Sequence, residues 1–548
     1  MTDIRAAIAN RLWRAASRPA WLRLRAELRD PASVQEALLH AYVRANQETA
    51  FGQRHGFATI RSVRDYRAAV PISSYDDLEP YVQRISRGEP NVLTREPVDR
   101  LVPSSGSTSA AKLIPFTAGL RREFSSAVDA WMADLLTTIP SVANGPAYWS
   151  ITPLVSRTFD VETTIPTGFD EDSRYLGGTR QALARAIFAV PPGVARLQEI
   201  ESFQYATVLF LLRSCGLRLI SVWHPSFLDR LLDTLSTHYS ELIEDVRHGT
   251  LSPPEAESTS RETIADLSRS LRADPARAAV LRRCRPDDIR AIWPDLSVVS
   301  CWADGPSRAP AEHLAKRLGG VPLQPKGLLA TEGVVTIPFD GLHPLAIGSH
   351  VFEFLDGAGG VRPPHELEPG AEYTVLLTTA GGLYRYRLGD RVRVDGFVER
   401  TPSLTFVARE DRVADWFGEK LSEGFVAGVV DRLFDGRAPR FAMLAPERTD
   451  LGVAYTLFID GEGEYPALAQ RLESSLRSNP NYAWCVDLGQ LRPAQIVHVG
   501  ADAGRSYVDA CVADGQRLGD VKPTTLRGEM GWSQRLPARD SRQETLTC

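Results

Sequence analysis

Hydrophobic positions recur at helical spacing over residues 3–49: Ile4, Ile8, Leu12 and Trp13, then Trp21, Leu22, Leu24 and Leu28. Pro31 opens a second helix with Val34, Leu38, Leu39 and Tyr42 on its inner face. The polar faces mix Glu with Arg, so the spacing predicts packing helices, not a helix lying on a membrane. Residues 50–103, broken by Pro71, Pro80, Pro90 and Pro103, read as short helices and loops. Leu120, Phe124, Val128, Trp131 and Leu135 predict a helix over 119–137. Apolar runs at 147–153 and 219–223 predict buried strands, with an apolar helix over 201–215 between them. This alternation of strand and helix predicts a mainly parallel sheet.

The pattern then turns helical and charged over 226–247 and 258–292. Strands return at 296–302, 321–323 and 334–338; 350–355 and 372–379 alternate as antiparallel strands do. Further strands fall at 392–394 and 404–408, and the last ends in the charged knot Arg409-Glu410-Asp411-Arg412. Beyond it the pattern restarts: helix 419–433, strands 440–445 and 453–459, helix 464–478, strand 493–498. The expected organisation is α/β. A large N-terminal domain of mixed and parallel sheets (1–408) is followed by a hinge (409–412) and a small α+β domain (413–548). The polar tail from Gly528 onwards is expected to be poorly ordered.

Composition narrows the classes. A net charge of −5 over 548 residues gives no support for a nucleic-acid or anionic-membrane partner. The six cysteines are scattered without a C-x-x-C pair, as free thiols in a reducing, cytoplasmic compartment would be. Arg5, Arg11, Arg14 and Arg18 interrupt the start of the chain, which does not read as a signal peptide, and no apolar run approaches membrane length. A monomer or weak dimer is expected. Of 63 basic residues only five are lysines: Lys112, Lys316, Lys326, Lys420 and Lys522. Where arginine is favoured nearly everywhere, a remaining lysine marks a place where a compact, mobile ammonium is needed or a surface position left unchanged by chance.

Four stretches carry candidate chemistry. Ser104-Ser105-Gly106-Ser107-Thr108-Ser109-Ala110-Ala111-Lys112 can offer backbone N–H groups, hydroxyls and an ammonium to a phosphate chain, though without the Walker spacing. Gly327-Leu328-Leu329-Ala330-Thr331-Glu332-Gly333 is a small-residue turn exposing one carboxylate, suited to Mg²⁺ beside phosphates or, more plainly, to solvent. Asp390 ends the Tyr/Arg-alternating run Tyr384–Gly389; it could accept both hydroxyls of a ribose or pair with Arg385, Arg387 or Arg391. Lys522 sits in a Gly-rich loop, Asp514–Pro523, which is either a mobile lid or a surface turn.

In this order and spacing, Ser104–Phe116, Gly327–Pro338, Tyr384–Val394 and Gly515–Pro523 resemble the Gretchen-Hagen family of acyl acid amido synthetases, in its bacterial form. That family lies within the adenylate-forming superfamily. Asn46–Phe57, Pro71–Tyr75, Phe169–Gly177 and Leu217–Leu228, with Trp223-His224-Pro225-Ser226, look alike too, so the resemblance spans about residues 35–525. It implies that Ser104, Ser105, Gly106, Ser107 and Thr108 line the phosphates of ATP. Ala330, Thr331 and Glu332 meet the adenine and α-phosphate side, with Glu332 holding Mg²⁺. Asp390 binds the ribose, Arg409 and Lys420 complete the ATP set, and Lys522 is the adenylation lysine on a mobile lid. Two departures stand out: Ala110-Ala111 where the family's first loop has glycine, and Leu328 where many members have tyrosine.

The reaction so implied joins a small carboxylic acid to an amino acid or amine. The carboxylate attacks the α-phosphorus of ATP, pyrophosphate leaves, and the amine displaces AMP from the acyl adenylate. An adenylating enzyme with a thiol acceptor, or a nucleotide-binding protein without turnover, would carry the same motifs. Trp131, Phe169 and Trp223 would suit an aryl or indole acid, or simply form core.

Overall fold

The computed structural model describes residues 3–104, 112–150, 163–168, 178–197, 199–254, 260–410, 413–435, 439–460, 465–516 and 521–536. Two compact units emerge. Met1–Trp223, Leu231–Cys301 and Leu318–Phe406 make the first; His224–Arg230, Trp302–Arg317 and Val407–Cys548 make the second.

In the first unit, the helix Ile4–Glu27 begins where Asp3 accepts the Ala6 N–H at 3.1 Å. It buries Ala6, Ala9, Asn10, Trp13 and Ser17, whereas Ile4, Ile8 and Leu12 are exposed. Small residues allow close approach to its neighbours, and polar side chains fix the contact. Asn10 Nδ2 donates to the Gly145 carbonyl at 2.8 Å. Trp13 Nε1 and Ser17 Oγ donate to the buried Asp129 at 3.4 and 3.1 Å. Apolar periodicity thus locates this helix but not the stripe it buries. The second helix, Pro31–Ala45, follows the expected pattern, with Leu39, Tyr42 and Val43 inward.

Strands β1 (Val98–Pro103) and β2 (Leu113–Thr117) form an antiparallel hairpin. Strands β3 (Ala147–Trp149), β4 (Leu219–Ser221), β5 (Val298–Cys301) and β6 (Leu323–Pro325) form a sheet in that order, parallel throughout, as the strand–helix alternation predicts. A two-stranded hairpin follows, β7 (Leu329–Ala330) and β8 (Gly333–Val334). The third sheet holds β9 (Val351–Leu355), β10 (Val361–Arg362), β11 (Glu372–Thr378), β12 (Tyr386–Val398) and β13 (Thr401–Arg409), in the order β10-β9-β11-β12-β13. One apolar core joins the helix Ala118–Thr138 (Leu120, Leu135 and Leu136) to Val335, Val375 and Tyr384. The charged stretches expected as long helices are shorter: 226–247 divides at His238 into Pro225–Thr237 and Tyr239–His248.

The second unit contains the hairpin β14 (Val413–Ala414) and β15 (Leu421–Ser422). It also contains the sheet β16 (Ala442–Thr449), β17 (Gly452–Ile459) and β18 (Leu491–His498). β16 and β17 are antiparallel; β17 and β18 are parallel. The helix Glu423–Leu433 packs Val426 and Val429 against Leu457, Leu472 and Tyr482. The stretch after Gly528 is ordered through Leu536, contrary to its polar composition. Trp532 and Leu536 are buried, and Glu447 Oε1 accepts the backbone N–H groups of Gly531 and Trp532 at 3.0 and 2.7 Å. Among the described residues no helix is long and apolar enough to cross a membrane.

Candidate active site

The β1–β2 hairpin presents the Ser/Thr-rich loop. Its register closes at Pro103 opposite Leu113, and the Ser104 N–H donates to the Lys112 carbonyl at 2.8 Å. The Leu113 N–H donates to Tyr75 Oη at 2.8 Å, so the Pro71–Tyr75 segment holds the base of the loop. Ser105, Gly106, Ser107 and Thr108 lie outside the described residues; Ser104 and Lys112, at its two ends, are half-buried.

The second motif is a minimal hairpin. β7 and β8 are joined by Thr331 and Glu332 alone, with Glu332 buried and Ala330 and Thr331 half-buried. Gly327 enters the turn at φ +78, where a Cβ would meet the Thr336 carbonyl oxygen at 2.8 Å. Leu328 is pinned by its backbone: its N–H donates to Thr336 Oγ1 at 2.8 Å, and its carbonyl accepts from Val335 at 3.0 Å. At the far end, a Cβ on Gly333 would fall 2.8 Å from Nε2 of His350, which has no exposed surface.

His350 explains why this turn holds its shape. Its Nε2 accepts the Val334 N–H at 3.0 Å, so the ring proton resides on Nδ1, which lies 3.0 Å from Glu123 Oε2. Glu123 accepts Tyr42 Oη–H and the Ala380 N–H, the latter at 3.1 Å. Burial, with the Glu123 carboxylate beside it, pushes the Tyr42 phenol well above its ordinary pKa, so it stays a donor. Glu123 therefore ties together three places: the helix after β2, the loop before Tyr384, and the strand after Glu332. Its signal in the sequence is a carboxylate one residue from Phe124 on the inward face of an apolar helix.

The third motif is braced by ion pairs. Arg385, at φ +46 and buried, pairs with Glu353 at 2.8 Å; Arg67 pairs with the same carboxylate at 2.7 Å. Ser73 exchanges backbone hydrogen bonds with Arg385 and Arg387 (3.1 and 2.8 Å), and its hydroxyl donates to the Tyr384 carbonyl at 2.8 Å. The β11–β12 register shifts between Thr374 and Leu376, opposite Gly389 at φ +81. Such a bulge re-aims the side chain beside it. Here that residue is Asp390, which is buried. Two arginines foreseen as its partners have other carboxylates: Arg385 takes Glu353, and Arg391 takes Glu372 at 3.0 Å.

In the second unit, Arg409 closes β13 and is half-buried, while Asp411 and Arg412 lie outside the described residues. Lys420 is exposed at φ +46. Its neighbour Glu419 is buried and accepts the N–H groups of Trp416 and Phe417 at 2.9 and 2.7 Å and Tyr455 Oη–H at 2.5 Å. The Lys522 ammonium lies 4.4 Å from the centre of the Trp302 ring, and its carbonyl accepts Tyr507 Oη–H at 2.9 Å. Next to this lysine is His224, buried, whose Nδ1 accepts the Ser226 N–H at 3.1 Å. Burial first, and the Lys522 charge second, hold its pKa down at about 3, so the His224 imidazole stays neutral. Among the described residues no group of three or more His, Cys, Asp or Glu side chains is placed to hold a metal ion.

A parallel sheet, a tight carboxylate turn, a bulged aspartate and an α+β unit carrying a lysine follow one another in the order that the sequence resemblance leads one to expect. The comparisons agree. The GH3 family N-terminal domain matches residues 22–323 and the GH3 family central domain matches residues 344–409; the chain belongs to the GH3 family. It is 28% identical over 74% of its length to the probable indole-3-acetic acid-amido synthetase GH3.12 of Oryza sativa subsp. japonica, 73% of which is covered. It is 27% identical over 70% of its length to the jasmonoyl–L-amino acid synthetase JAR6 of Nicotiana attenuata, 70% of which is covered. The solved structure of the AtGH3.15 acyl acid amido synthetase with 2,4-DB superimposes with a TM-score of 0.78 at 18% identity, over 93% of this chain and 94% of that one. A 2-hydroxyisobutyryl-CoA ligase in the postadenylation state gives 0.51 at 12% identity, over 92% and 91%.

Proposed function

We propose that this chain is an ATP-dependent acyl acid amido synthetase. It activates a small carboxylic acid as an acyl adenylate, releasing pyrophosphate, and passes the acyl group to an amino acid or another amine, giving an amide and AMP. The observation that carries this reading is the buried Glu332 turn, braced through His350 and Glu123, in a chain of the GH3 family.

The residues divide the work as follows. Ser104 to Thr108 hold the phosphates; Ala330 and Thr331 bear on the adenine side; Asp390 takes the ribose hydroxyls; Arg409 and Lys420 add positive charge. Glu332 fits a site for Mg²⁺, because that ion takes one or two carboxylates and completes its shell with phosphates and water. When bound, it would offset phosphate charge. Lys522 supplies a mobile positive charge as the α-phosphorus is attacked, an electrostatic contribution made mainly in the transition state. A hinge over 409–412 lets the unit beyond it serve both half-reactions. We place this work in the cytoplasm, by a monomer or weak dimer.

The test is exchange of labelled pyrophosphate into ATP across a panel of carboxylic acids, followed by amino acids or coenzyme A and mass analysis of the product. Exchange with at least one acid and an amide product are expected. A thioester in place of the amide would move the enzyme to the thiol-accepting class. No exchange with any acid would make it a nucleotide-binding protein without turnover.

A further inference from the structure

Lys326 lies outside the four motifs and is the buried lysine of the first unit. It directly follows β6 and directly precedes Gly327, at the carboxyl edge of the parallel sheet, where β3, β4 and β5 end in Trp149, Ser221 and Cys301. Ligands of open α/β sheets bind in the crevice at this edge. Lys326 is 6% exposed. Its ammonium donates to Ser221 Oγ at 2.5 Å and lies 5.3 and 5.2 Å from the ring centres of Trp131 and Trp223. Among the described residues no carboxylate pairs with it.

A buried cation without a counter-ion is costly, and indole faces offset only part of that cost. An ammonium also has three N–H groups, and Ser221 takes one. Beside it, the ring of Trp149 lies 6.0 Å from that of Trp131, and its buried indole Nε1 has no hydrogen-bond partner among the described residues. Aromatic walls with two under-used donors suit a flat molecule that brings an acceptor.

We infer that Lys326, held by Ser221 between Trp131 and Trp223, is a specificity-determining residue of the acyl-acid pocket and selects aromatic acids that carry a second, anionic or hydrogen-bond-accepting group. This rests on the amido synthetase reading above. Desolvation holds the Lys326 pKa at about 7, so an arriving anion both pairs with the ammonium and secures its proton. A site built to hydrogen-bond a substrate group discriminates strongly against the analogue lacking it, since its buried polar atoms are then left unpaired.

The experiment compares wild type with Lys326→Met and, as a polar control, Lys326→Gln, using phenylacetate and its hydroxy- and carboxy-substituted forms as probes. Two readouts run in parallel: acid-dependent pyrophosphate exchange, and quenching of tryptophan fluorescence by the acid without ATP. Wild type is expected to prefer at least one substituted acid to phenylacetate by about tenfold or more, the worth of a charge-assisted hydrogen bond. Lys326→Met is expected to bring that ratio to within about twofold of unity with the KM for ATP unchanged. Equal ratios in wild type and variant, or no preference in wild type, would overturn the inference. So would a loss of amide formation with unchanged acid ratios, which would place Lys326 in the second half-reaction. If no acid supports exchange while fluorescence shows Lys326-dependent preference, the amido synthetase reading falls and the pocket assignment stands.

Discussion

Glu123 Oε2 lies 3.0 Å from Nδ1 of His350, and His350 Nε2 in turn receives the backbone N–H of Val334, the residue that ends the Glu332 hairpin. All three donors around Glu123 (the imidazole, Tyr42 Oη–H and the Ala380 N–H) need an acceptor. Glu123→Gln sets an NH₂ group against one of them. The expected loss is about 1–3 kcal/mol of stability, the cost of an unmatched buried polar group. It should appear as a lower urea midpoint with a raised KM for ATP in pyrophosphate exchange. An unchanged midpoint would mean that the network does not brace the turn.

Glu332→Gln keeps the size of the side chain and removes its charge. The expected outcome is a Mg²⁺ titration of exchange displaced to higher metal concentration, with the fold retained. A titration that overlays wild type would rule out the ligand assignment.

Lys522→Ala should lower adenylation by about 100-fold or more, as losing one transition-state electrostatic contact does. The chain should still fold. The stacking on Trp302 is worth only about 0.5–1 kcal/mol at a half-exposed site, and the Lys522 carbonyl keeps its bond from Tyr507. Pyrophosphate exchange at near wild-type rate would remove Lys522 from the role.

Lys326 ties stability to pH. Its folded-state pKa is about 7, lowered by burial, with the Cys301 thiol as the titratable neighbour opposing the shift; unfolded, a lysine titrates near 10.4. Below pH 7 both states carry the proton and the folded chain bears the full cost of the buried charge. Between the two values the unfolded state binds more protons, so stability rises with pH. Lys326→Met should therefore stabilise the protein most below about pH 7, on the order of a few kcal/mol, with the gain fading towards about pH 10. Urea midpoints at the two ends measure it. A difference independent of pH would contradict the burial argument.

The elements were legible wherever one periodicity ran long enough, as over 119–137, or where an apolar run flanked a helix, as at β3 and β4. Which face packs was not. The helix Ile4–Glu27 turns its isoleucines outward because alanines and the Asn10, Trp13 and Ser17 hydrogen bonds fix the closer contact. Glu332 and Asp390 could be singled out from their glycine neighbours, since a tight turn and a bulge both need backbone that other residues resist. Glu123, His350 and Lys326 could not, because each draws its meaning from partners more than 100 residues away that no local spacing encodes. The stretch from Gly528 to Leu536 misled in the same way: Trp532 is one aromatic residue in a polar run, and Glu447 accepts its backbone N–H.

The scarcity of lysine has a spectroscopic consequence. Five side-chain amines give a set of ε-methylene resonances small enough to assign by substituting one residue at a time. The ammonium groups of Lys326 and Lys522 lie over indole faces, so ring currents set their neighbouring protons apart from those of lysines in water. One signal reports on the edge of the parallel sheet, the other on the segment after β18, and each can be followed while the other is left untouched.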